Sequence, residues 1–169
     1  INSVLLKDVT DHNLPDVLAW IQHESLSVRF IELMQTGENL AFFKQHHLSA
    51  NTIIQQLLER GFVPEIRKPD AGPALEFSHP DYAGKIGIIA PYAKDFCKSC
   101  NRLRVTSRGQ LMLCLFGEGG YDLRPYLQAD DQREALIQAI TRALHFKHEG
   151  HALHQGITGA IPHLASLGG

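Results

Sequence analysis

The chain lacks most of the features that assign a sequence quickly. No apolar run approaches the roughly 18–20 residues that cross a bilayer, so no membrane partner is expected. Neither sign of charge dominates. Sixteen basic residues against eighteen acidic ones leave −2 with histidine neutral, which excludes an overall electrostatic footprint for nucleic acid. Anion recognition must therefore come from a local group of Arg or Lys. The amino terminus, Ile-Asn-Ser-Val-Leu-Leu-Lys, has no initiator Met, no basic start and no small-residue cleavage site, and it reads as a strand entered midway. A fragment of a longer chain is the expectation. Cysteine is scarce: three residues cannot all pair as disulfides, and nothing points to secretion, so a reducing, cytoplasmic compartment follows. What is there, 44% hydrophobic and 20% charged over 169 residues, suffices for an ordinary core.

Ile1 to Lys7 reads as extended. A helix starting near Asn13-Leu14-Pro15-Asp16 follows, with Asn13 as cap and Leu14, Val17, Leu18 and Ile21 on one face. Leu26 to Leu33 is a second strand. Strand, helix and strand in about 33 residues make a βαβ unit, hence a piece of parallel sheet or barrel. A helix over 49–60 stops at Gly61. Beyond it, 75–79, 85–90, 102–106 and 110–115 are short strand candidates that suggest an antiparallel meander, with Ser107-Arg108-Gly109 as the last turn. A long helix is expected over 130–147, with Ala135, Leu136, Ala139, Ile140, Ala143 and Leu144 as its buried stripe.

Cys97, Cys100 and Cys114 carry the sharpest chemistry, in the spacing C-x2-C-x13-C. A two-residue gap lets two thiolates face one centre, and pairing of 102–106 with 110–114 would return Cys114 to the level of Cys100 and Asn101. Three convergent thiolates repel unless a cation neutralises them, so the arrangement predicts metal. Structural zinc wants four closed ligands and no fourth Cys exists, although ten histidines do. A 4Fe–4S cluster on three Cys would leave one iron open for a substrate. On spacing alone both metals stand. So does a zinc-stabilised binding module that uses its arginines to hold an acidic partner. A redox dithiol of Cys97 and Cys100 gives Cys114 no role.

Arg102 and Arg104 stand two apart on a predicted strand and share a face, with Leu103 and Val105 turned to the core. Two rigid guanidinium forks beside a metal loop suit a phosphate, a carboxylate or a purine edge, unless they are a merely solvated strand face. Arg29 interrupts an apolar strand, so it either pairs with Glu32 or another carboxylate, or faces a ligand. His145, His148, His151 and His154 read as a solvated surface.

Asp95-Phe96-Cys97-x-x-Cys100-Asn101-Arg102-Leu103-Arg104, then Gly109, Cys114-Leu115-Phe116-Gly117 and a terminal Gly168-Gly169, resemble the C-terminal half of the GTP 3′,8-cyclase family of molybdenum-cofactor biosynthesis. Arg29-Phe30-Ile31-Glu32-Leu33-Met34 and Pro80-Asp81-Tyr82-Ala83-Gly84 resemble the same family, in order along the chain. The resemblance implies a radical S-adenosylmethionine lyase with two 4Fe–4S clusters. Such an enzyme converts GTP to (8S)-3′,8-cyclo-7,8-dihydroguanosine 5′-triphosphate for a downstream cyclic pyranopterin monophosphate synthase. It implies an α/β (α+β) fold: the last strands and helices of an incomplete barrel over 1–70, and over 71–169 an antiparallel iron–sulfur, GTP-binding domain with a long packing helix. By the same resemblance Cys97, Cys100 and Cys114 hold the C-terminal cluster, Arg102 and Arg104 contact substrate or intermediate, and Arg29 binds the triphosphate. Met34 lies near S-adenosylmethionine, and Gly168 and Gly169 form a tail needed for cyclisation. A homodimer is implied as well. The family's N-terminal C-x3-C-x2-C loop is missing from these residues, so the chain alone is expected to be inactive and its sheet to end in an exposed edge.

Overall fold

Alternating burial along Ser27–Glu32 fixes the first sheet. Val28, Phe30 and Glu32 face inward, while Ser27, Arg29 and Ile31 are only half-buried. The structure is a computed structural model that describes residues 1–68, 70–98, 100–117, 119–148, 150–159 and 164. These form two compact units, 1–34 with 41–96 and 35–40 with 97–169. Among the described residues no helix is long and apolar enough to cross a membrane.

The first unit runs β1 (Asn2–Leu5), α1 (Thr10–His23), β2 (Ser27–Glu32), α2 (Leu40–His46), α3 (Ala50–Glu59), β3 (Val63–Pro64), β4 (Leu75–Ser78) and β5 (Lys85–Ile89). Its sheet has the order β1-β2-β5-β4-β3. β1, β2 and β5 are parallel, and β4 and β3 continue the sheet antiparallel. β1 is an edge strand, as expected, with Val4 exposed. α1 begins at Thr10 and carries Pro15 inside it, rather than starting at Asn13. The Thr10 hydroxyl explains the earlier start: it accepts from the Leu6 N–H and donates to the Val4 carbonyl, tying the first turn to β1. Ser49 caps α3 by accepting from the Asn51 N–H. The apolar faces of α1 and α3 close over Val28, Phe30, Phe62, Phe77, Ile86 and Ile88 in one continuous core.

The second unit contains β6 (Arg104–Val105), β7 (Gln110–Met112), β8 (Tyr121–Asp122) and α4 (Arg133–Leu144), with short 3-10 turns around them. Its three strands are antiparallel in the order β6-β7-β8. The meander expected over 75–115 is thus divided: 75–78 and 85–89 join the first sheet, because β5 finds a parallel partner in β2. Gly109, at φ 72°, closes the β6–β7 turn, and its N–H donates to Thr106. α4 is shorter than expected, and of its predicted stripe only Ala143 is fully buried. Leu136 and Ile140 pack with it against Leu111, Leu113 and Leu123, whereas Leu144 is exposed. Together the two sheets make a mixed α+β protein.

Candidate metal centre

Two stretches of the second unit carry its three sulfurs. Cys97 and Cys100 are joined by one turn, in which the Cys100 N–H donates to the Cys97 carbonyl at 3.0 Å. Cys114 comes from the other arm of the hairpin, two residues beyond the last ladder pair, Arg104 opposite Met112. All three are free thiols; Cys97 and Cys114 are half-buried and Cys100 is exposed. Burial pushes the Cys97 thiol up, and Cys114 and Cys100 push it the same way, while the His151 N–H and the Lys147 charge pull it down. A thiol whose ionisation its neighbours oppose gains most from a cation at the site.

Every sulfur also meets a donor. The His151 backbone N–H donates to Cys97, the Phe116 N–H donates to Cys114 Sγ at 3.4 Å, and Lys147 Nζ stands 3.9 Å from Cys100 Sγ. N–H···S bonds favour the thiolate, and around an iron–sulfur centre they help to set its potential. This donor set fits a metal–thiolate group.

Among the described residues, the trio of Asp, Glu, His or Cys ligand atoms that all lie within 4.8 Å of one another is Asp8, Asp11 and His12. These are sequence neighbours at the start of α1, where acidic groups complement the helix dipole. The cysteine sulfurs are spread more widely than that.

The C-terminal segment packs back onto this cluster. A Cβ on Gly150 would lie 4.0 Å from that of Cys97. Gly159, at φ +68°, comes so close to Phe116 that an added Cβ would sit 2.4 Å from its carbonyl oxygen. His151 is half-buried with its ring against Phe116 at 5.2 Å, which corrects the reading of all four histidines as solvated; His145, His148 and His154 are exposed.

Arg102 is exposed and precedes β6, and Arg104 is half-buried within it. Leu103 and Val105, expected in the core, are 37% and 56% exposed. β6 is a two-residue edge strand, and the apolar cluster lies instead under β7 and α4.

Arg29 and Met34 belong to the first unit. Arg29 does pair with a carboxylate, Glu76, at 3.0 Å from Nε. The register explains how: Arg29 on β2 and Glu76 on β4 both stand opposite Gly87 of β5. The ion pair bridges over the glycine, where a Cβ would lie 2.8 Å from Arg29 Cγ. Glu32 faces the other way. It is buried and bonded to His47 Nε2 at 3.0 Å, and desolvation holds its pKa above the ordinary glutamate value despite that histidine. Met34 is half-buried just past β2. Gly168 and Gly169 lie outside the described residues.

The family model described as Molybdenum Cofactor Synthesis C matches residues 26–153. The chain belongs to that family. Proteins named GTP 3′,8-cyclase from two strains of Stenotrophomonas maltophilia, R551-3 and K279a, are 57% and 56% identical to it over 169 residues. One from Klebsiella pneumoniae is 53% identical. Each comparison covers all of this chain but only 51–52% of the relative, so the chain spans about half the length of the curated relatives it matches. Three contributors to the cysteine cluster left no mark in the spacing. The backbone N–H groups of Phe116 and His151 have no side-chain signature, and Lys147 reads as an ordinary cation near a helix end, where Lys is common.

Proposed function

We propose that this chain is the C-terminal half of a GTP 3′,8-cyclase, and that Cys97, Cys100 and Cys114 hold a 4Fe–4S cluster for it. The observation that carries the reading is the gathering of three free thiols, each with an N–H donor, in a chain 53–57% identical to proteins of that name. A cluster on three thiolates keeps one iron without a protein ligand, and that iron supplies a Lewis-acid position for the purine of GTP.

The remaining work falls to the chain's own side chains. Arg102 and Arg104, on the segment that leaves the Cys100 turn, offer rigid donor forks to the substrate. Arg29 binds the triphosphate, and Glu76 holds its guanidinium in place until phosphate oxygens replace or share the carboxylate. Met34 borders S-adenosylmethionine, and Gly168-Gly169 form the tail that the cyclisation step needs. Charge-assisted bonds that orient a substrate group before it reacts act as catalysis by positioning. The parallel strands β1, β2 and β5 are then the end of the longer protein's barrel, with the Arg29 face of β2 turned to its interior. The source of the radical, a second cluster with S-adenosylmethionine, belongs to the half of the relatives that this chain does not cover.

The test is anaerobic reconstitution with iron and sulfide, then metal analysis and visible absorption. A brown protein with about four iron atoms per chain supports the reading; a colourless one holding stoichiometric zinc refutes it. The chain alone, given S-adenosylmethionine, GTP and reductant, is expected to form no cyclised product. The zinc-module alternative needs a fourth protein ligand to close a structural site, and no fourth Cys exists.

A further inference from the structure

Lys147 lies three residues beyond α4, yet its ammonium is directed at the cysteine turn, 47 residues away in sequence. Nζ donates to the Cys100 carbonyl at 3.0 Å and to the Arg102 carbonyl at 2.9 Å, and it stands 3.9 Å from Cys100 Sγ. These contacts use the three hydrogens that an ammonium carries. Two carbonyls converging on one cation fix the backbone between them, and that backbone joins a proposed ligand to the proposed substrate arginines. One side chain therefore holds the Cys100 end of the turn and the start of the arginine segment together.

We propose that Lys147 is a positioning residue of the three-cysteine centre, clipping the Cys100–Arg102 backbone in place and lending a fixed positive charge to the thiolate group. The inference rests on the proposed cluster reading. A compact cation on a long stem suits the task, because three separate acceptors must be reached from one point. Its backbone role holds Cys100 and the start of the Arg102–Arg104 segment in register. Its charge stabilises the more negative form of whatever centre the thiolates hold.

The test uses the 169-residue chain, reconstituted without air, as wild type, K147M and K147R, with a mediated redox titration of the cluster and iron retention under a chelator as readouts. Circular dichroism of each apo chain controls for folding. In K147M the ratio of reduced to oxidised cluster at fixed potential should fall about tenfold, a shift of about 59 mV for one electron, and iron should be lost faster. K147R should recover the potential, because the charge returns. It should recover iron retention only in part, because a planar fork does not reproduce the two carbonyl bonds. A K147M cluster that titrates with wild type, or a K147R cluster displaced as far as K147M, overturns the inference and leaves the cluster reading intact. A wild-type chain that takes up no iron and sulfide overturns both. A general packing defect would change chelator sensitivity but would not be reversed in potential by Arg.

Discussion

The two units of this protein are held together by different means. In the first, thirteen buried apolar residues from two helices and four strands form one core, and the main charged pair on the open face of its sheet is seated by register. In the second, among the described residues, three short strands and one helix enclose a cluster of four buried residues, Leu111, Leu113, Leu123 and Ala143, with Met112, Phe116 and Leu153 buried beside it. Burial scales with the apolar area removed from water, so the first unit has a sufficient core and the second a thin one. Small domains with thin cores commonly rely on disulfides or metals. The comparison teaches that the proposed cysteine centre would brace the second unit as well as supply its chemistry.

The strongest way to break that contrast is to remove a thiol. C114S should lose most of the bound iron. It should also raise hydrogen exchange across 97–159 while leaving β2 and β5 protected, as should chelation of the wild-type chain; uniform loss of protection would show that the units do not differ. Next in size is F30A, which empties the first core. A cost of about 3–5 kcal/mol is expected in denaturant unfolding of the first unit, with iron content unchanged. G87V should cost about 1–3 kcal/mol, because the new side chain occupies the space that the Arg29–Glu76 pair spans; a double variant with E76A should recover part of it.

The smallest effect is a pH dependence. Glu32 has its folded pKa raised by burial, so the folded state binds the extra proton, and stability falls as pH climbs from the ordinary value of 4.5 through the raised one. E32Q should remove that fall, seen as a difference curve in urea midpoints against pH that departs from zero slope only in that window. A flat difference would mean that the His47 contact cancels the desolvation completely.

Much of the first unit was legible because its signals are periodic. The strands at 2–5 and 27–32 lie within the apolar extended runs read at 1–7 and 26–33, and the helix at 50–59 ends just before its Gly61 stop. α2 was not legible: Leu40–His46 is short and has no buried residue, so it carries no stripe to read. The partner of Arg29 was foreseeable as a carboxylate but not as Glu76, because 47 residues separate them and only strand register brings them together. Around the cysteines, spacing alone named the candidate ligands. The N–H groups that surround them come from the backbone of Phe116 and His151, and a backbone amide has no letter of its own. Leu103 and Val105 misled because alternation assumes a strand with a core beneath it, and β6 is too short to have one.

Gly159 shows how far the influence of that centre extends along the chain. Where its backbone rests on Phe116, there is room for a hydrogen and for nothing larger. Phe116 in turn offers its amide to the third sulfur. Position 159 is thus a shim, 45 residues on from the proposed ligand Cys114, against the Phe116 backbone: thicken it by one methyl group, and the first thing it meets is the carbonyl of the residue whose amide touches that sulfur.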